Sequence, residues 1–184
     1  MNSDDELYKM FLSGDIASYD QLLLRYGDHL IFYINGYMHD LQDSEDLMIE
    51  SFARIMVKKP RIEAGCFKAY LYKTARNLAS RFHEKQKYIQ VFGFEDLSEE
   101  IADTVLTEEV LADQEREEVL HMCLDKIDPN MKEALWLFYF EGLSYTQIAE
   151  VMGLRYKQVD HLLSRGKQQM KAELLKQGVS NAYE

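Results

Sequence analysis

Apolar side chains recur at steps of three and four along most of this chain, and no stretch alternates with the period of two that a half-buried strand requires. The clearest run is Leu22, Leu23, Tyr26, Leu30, Tyr33, Ile34 and Tyr37. Only two prolines and nine glycines interrupt 184 residues, of which 47% are apolar. A chain of this length can bury one ordinary core or two small ones. The pattern therefore predicts an all-α protein built from small helical domains.

Punctuation divides the pattern. Helices are expected over about 4–12, ended by Ser13-Gly14, and over 16–41. Asp43 or Ser44 is the expected cap of a third, which runs to about Val57 with Leu47, Phe52, Ile55 and Met56 inward. Pro60 and Gly65 mark a loop, and a fourth helix is expected over 67–88. Helical character resumes near Thr107 and gives a helix over 110–127 that stops at Asp128-Pro129. Asn130 is the expected cap of a helix over 131–140, Ser144 that of 145–152, and a last helix covers 156–175.

Charge is distributed in blocks. The net charge is −11, but residues 58–90 carry 9 basic and 2 acidic side chains, and residues 154–176 sum to +4. Between these islands, residues 91–119 carry 11 carboxylates against one arginine. Like charges that close repel one another, so this segment is expected to be an extended acidic linker. The expected domains are 1–90 and 120–184, with 91–119 between them.

Several function classes fit poorly. Cys66 and Cys123 are isolated, which suits a reducing compartment better than a disulfide framework. The acidic start, Asp4-Asp5-Glu6, does not resemble a signal peptide, and the run from Ala134 to Phe140 is too short to span a bilayer. A cytoplasmic protein without membrane insertion is expected. No nucleophile motif, phosphate loop or converging metal-ligand set is visible, so neither an enzyme nor a cofactor or metal site is expected. His39-Asp40 leaves a helical metal phosphohydrolase as a remote alternative.

The most specific segment is 144–159. Ser144 caps a helix, Ala149 is small where two helices cross, Gly153 ends the first helix, and Ile148, Leu154, Val159 and Leu162 fill the wedge. This is a helix-turn-helix pattern, and the outer face of its second helix is expected to enter a major groove. Gln158 and His161 are candidates to read base edges, and Arg155, Lys157, Arg165, Lys167 and Lys171 to reach phosphate or guanine.

Two earlier segments complete the picture: Asp43-Ser-Glu-Asp-Leu-Met-Ile-Glu-Ser-Phe-Ala-Arg-Ile55, and Phe67-Lys-Ala-Tyr-Leu-Tyr-Lys-Thr-Ala-Arg-Asn-Leu-Ala79. They resemble regions 2.2 and 2.3–2.4 of the extracytoplasmic-function (ECF) RNA polymerase sigma factors. The stretch from Leu124 through Lys167 resembles region 4 of the same family. The resemblance implies a sigma factor with core RNA polymerase and promoter DNA as partners, and it admits an anti-sigma factor as a third. It further implies that Asp46, Leu47 and Glu50 dock core polymerase. Tyr70, Lys73, Arg76, Asn77 and Arg81 would face the melted −10 element, and the helix-turn-helix the double-stranded −35 element. Aromatics beside cations suit exposed bases, although at least one of Phe67, Tyr70 and Tyr72 is expected to be core only. Ile49, Arg81, Glu84, Arg155 and Lys157 depart from the residues usual in the family. The alternative is a stand-alone helix-turn-helix regulator that binds operators without polymerase; such proteins usually dimerise, and no sustained heptad seam is present.

Overall fold

The structure is a computed structural model, and it describes residues 2–86, 119, 122–124 and 126–178. All regular structure among them is helical: α1 (Asp4–Leu12), α2 (Ile16–Met38), α3 (Leu41–Lys58), α4 (Phe67–Gln86), α5 (Pro129–Tyr139), α6 (Tyr145–Met152) and α7 (Tyr156–Lys176). The segment expected to be an acidic linker, 91–119, falls outside the described residues except for Val119, and so does most of the helix expected over 110–127. Of that helix, Val119 and Met122–Leu124 are helical.

The N-terminal unit packs α2 against α1, α3 and α4. Its core is unusually aromatic. Phe11 and Tyr19 rings lie 4.5 Å apart, and Phe52 meets Tyr19 edge-on at 5.7 Å. Two of its phenols are tied to backbone: Tyr19 donates to the Phe52 carbonyl at 2.6 Å and Tyr8 to the Pro60 carbonyl at 2.7 Å. The second of these ties the α3–α4 loop down onto α1.

Two helix boundaries differ from the sequence reading. The break between α2 and α3 comes at His39-Asp40, not after Leu41. His39 takes a left-handed conformation (φ 51°) and its N–H returns to the Asn35 carbonyl, while the Asp40 side chain accepts from the Asp43 N–H. The dipeptide that suggested a metal pair thus ends one helix and begins the next. Similarly, Asp128 rather than Asn130 caps α5, accepting from the Asn130 and Met131 N–H groups, and Pro129 enters the first turn, where no N–H is needed.

The C-terminal unit packs α7 against both α5 and α6. Ser144 and Gln147 form a reciprocal capping box, and Gly153 ends α6 at φ 68°. Ile148, Val159, Leu163 and Leu137 are fully buried between the three helices. Gly166 permits the closest approach: a Cβ there would stand 3.1 Å from Leu135 Cδ1.

The two units meet directly. Helix α4 packs along α6, and the Gln147 side chain donates to the Gly65 carbonyl at 2.9 Å.

Candidate nucleic-acid interface

The exposed face of α7 is set by the burial of its opposite side. Val159, Leu163, Gly166, Met170 and Leu174 point inward at steps of three and four, which leaves Lys157, His161, Arg165 and Lys171 exposed. Arg155 is also exposed, at the cap position. Gln158 has a second task, because its Oε1 accepts from the Arg155 N–H at 2.8 Å and so closes the first turn of the helix. Lys167 turns aside: its ammonium lies over the rings of Phe138 at 5.2 Å and Tyr139 at 5.6 Å.

Helix α4 carries two polar ridges. Lys73, Asn77 and Arg81 are exposed on one, and Tyr70 is half-buried at its head. Arg76 belongs to the other, where Lys68, Tyr72 and Arg76 follow one another at four-residue steps and face the C-terminal unit. Of the three candidates Phe67, Tyr70 and Tyr72, Phe67 and Tyr72 are core. The Arg76 guanidinium contacts Glu133 of α5 through Nε at 2.8 Å and through a second nitrogen at 3.4 Å. Tyr33 donates to the same carboxylate at 2.7 Å. Lys68 Nζ reaches the Glu141 carboxylate at 2.9 Å and its carbonyl at 2.6 Å, while the Trp136 indole N–H donates to that carboxylate at 3.2 Å. Both glutamates are buried, Glu133 with a side chain 2% exposed and Glu141 with none.

Electrostatics follow from this burial. Burial opposes the Arg76 charge, and the Glu133 carboxylate more than offsets it, so the guanidinium is held above its ordinary pKa. Burial first, then the neighbouring carboxylate, pushes the Tyr33 and Tyr72 phenols well above their usual range.

On α3, Asp46 and Glu50 stand exposed on the outer face, with Glu50 paired to Arg54 at 2.6 Å. Leu47 turns inward and is 6% exposed, so it supports this face from beneath. Ile49 is open to solvent beside them.

Sequence reasoning missed Lys68, Tyr33, Glu133 and Glu141 as members of one cluster. A signal existed for Glu133 alone, since it interrupts an apolar helix between Met131 and Ala134 where the period calls for a core residue. Nothing local marks the others.

A four-helix unit with acidic and basic faces, followed by a helix-turn-helix with an open basic face, has the architecture of a DNA-reading protein. The chain belongs to the ECF-type sigma-70 family: the sigma-70 region 2 family pattern matches residues 22–88 and the sigma-70 region 4 pattern matches residues 117–170. It is 28% identical over 177 residues to the ECF RNA polymerase sigma factor SigE of Mycolicibacterium smegmatis, covering 92% of this chain and 68% of that one. To the RNA polymerase sigma-H factor of Pseudomonas aeruginosa it is 26% identical over 158 residues, covering 81% and 82% of the two chains. In fold it resembles CnrH, solved in complex with the cytosolic domain of CnrY, with TM-score 0.64 at 19% identity over 94% of this chain and 97% of that one. A second likeness is RpoE of Bartonella quintana, solved with the anti-sigma factor NepR, at TM-score 0.60 and 18% identity over 85% and 96%. The protein is an RNA polymerase sigma factor that directs promoter recognition, and it works by binding rather than by catalysis. Among the described residues, no helix is long and apolar enough to cross a membrane.

Proposed function

We propose that three faces share the work of promoter recognition in a chain organised as 1–90, 91–119 and 120–184. Asp46 and Glu50, held in place by Leu47, dock core polymerase by opposite charge. The α4 surface of Tyr70, Lys73, Asn77 and Arg81, with Arg76 once it is released, holds the melted −10 strand. The outer face of α7 reads the −35 duplex, with His161 and Gln158 toward base edges and Arg155, Lys157, Arg165 and Lys171 toward phosphate or guanine. Lys167 joins them only if it leaves its aromatic seat. The observation that carries the reading is the row of exposed cations on the second helix of a helix-turn-helix, opposite a fully apolar inner face. The likeness to RpoE, solved with the anti-sigma factor NepR, supports an anti-sigma partner for this chain as well.

The assignment separates readout from positioning, and a promoter library tests it. His161→Ala in holoenzyme is expected to change the preferred −35 sequence, at about 1–3 kcal/mol for each lost base contact. Lys171→Ala is expected to weaken all sequences alike and to lower the salt dependence by about one ion. If both variants alter the library in the same way, the helix faces are assigned wrongly.

A further inference from the structure

The joint between the two units buries charge from both of them. Lys68, Tyr72 and Arg76 form one ridge of α4, and Glu133 and Glu141 meet it from α5 and the residues just beyond it. Arg76 is only 24% exposed against a carboxylate that is 2% exposed, and Lys68 is 22% exposed against one that is fully buried. His29 of α2 approaches Glu141 at 3.7 Å from the same side.

A carboxylate bound through two guanidinium nitrogens offers Arg76 what a backbone phosphate would offer: paired anionic oxygens in the plane of the fork. We infer that the closed arrangement is a self-inhibited state, in which Glu133 and Glu141 occupy Arg76 and Lys68 of α4 in place of nucleic-acid phosphates. This rests on the reading of α4 as the −10 surface. Arg76 cannot serve both anions, because Glu133 is reached only while α5 lies against the ridge.

The chemistry of the joint suits a latch. Removing two charges from water costs much of what their attraction returns, so a buried ion pair selects a geometry more than it stabilises one. When the units separate, the carboxylates and cations regain water and leave no orphaned charge. A partner that binds only the open form therefore has a modest difference in free energy to supply. The remaining working surfaces stay accessible in the closed form: Asp46 and Glu50 on α3, and the outer face of α7, are all exposed. Core polymerase can thus dock first, and opening follows.

The full chain tests this by small-angle scattering and by equilibrium binding to a short mixed-sequence single-stranded DNA. Glu133→Gln is expected to enlarge the radius of gyration and to tighten binding about tenfold, within the usual range for coupled equilibria. Asp20→Asn, which removes the same charge from the exposed face of α2, is expected to leave the radius unchanged and to tighten binding far less. Lys68→Gln is expected to enlarge the particle from the other side of the joint, and it decides the matter if circular dichroism shows that Glu133→Gln has lost helix. An unchanged radius, expansion without tighter binding, or equal tightening by Asp20→Asn would each overturn self-inhibition. Promoter opening by holoenzyme carrying Arg76→Gln is measured alongside. Normal opening there faults the −10 assignment of Arg76, whereas defective opening beside an unresponsive Glu133→Gln faults the latch alone.

Discussion

Phe52→Ala is expected to lower the stability of the N-terminal unit by about 3–5 kcal/mol, the range for truncating a buried aromatic. Phe52 is 2% exposed on the inner face of α3 and meets the Tyr19 ring edge-on. Removing it leaves a cavity beside the rigid Tyr19 ring of α2, so little collapse can offset the loss. The consequence reaches function through geometry, because α3 carries Asp46 and Glu50 on its opposite side. Holoenzyme assembly should weaken along with stability, and Glu50→Gln should weaken assembly with stability unchanged. Urea denaturation of the full chain, paired with a core-polymerase binding titration, checks both. A stability loss below about 1 kcal/mol would mean that the aromatic layer is not the seat of α3.

The second large effect is expected from Leu163→Ala, at about 2–5 kcal/mol. Leu163 is fully buried at the centre of α7, where α5 and α6 both meet that helix. Its loss should loosen α7 although the exposed Lys157, His161, Arg165 and Lys171 are all retained. The prediction is a fall in −35-dependent transcription larger than any single outer-face alanine gives, with binding to single-stranded −10 DNA no weaker than in the parent. A variant that melts at the parental denaturant concentration yet still loses −35 recognition would contradict this account.

Much of this architecture can be read from the chain because it rests on local rules. The helix-turn-helix follows from Ser144, Ala149 and Gly153, each with a local task that the residue type announces. Likewise the 4–12 helix ends where Ser13-Gly14 says it should. The errors are of two kinds. Asp40 and Asp128 displaced the expected caps because several acidic or polar residues stood close together, and the winner depends on the path of the preceding turn. His39 is a sharper case, since a left-handed non-glycine residue has no marker in sequence. The joint between the units was invisible for a different reason. Tyr33 and Glu133 are a hundred residues apart, and no periodicity within one helix says which ridge of α4 another unit will cover. Sharing of α4 between an open ridge and a covered one is tertiary information, and it divides residues that the family resemblance places together.

Trp136 gives the chain a reporter of its own. It is the single tryptophan in the sequence, it stacks on Phe140 with ring centroids 4.3 Å apart, and its indole N–H ends on the carboxylate that Lys68 also holds. Light absorbed at the red edge of the protein spectrum excites this indole and leaves the twelve tyrosines dark. Emission from an indole that is 8% exposed is blue-shifted, and it moves to the red once water reaches the ring. If the units separate as inferred, Glu141 is uncovered and water is expected to reach the indole beside it. Unlabelled native protein is therefore expected to report its own opening by a red shift of this emission, in real time and without an introduced dye.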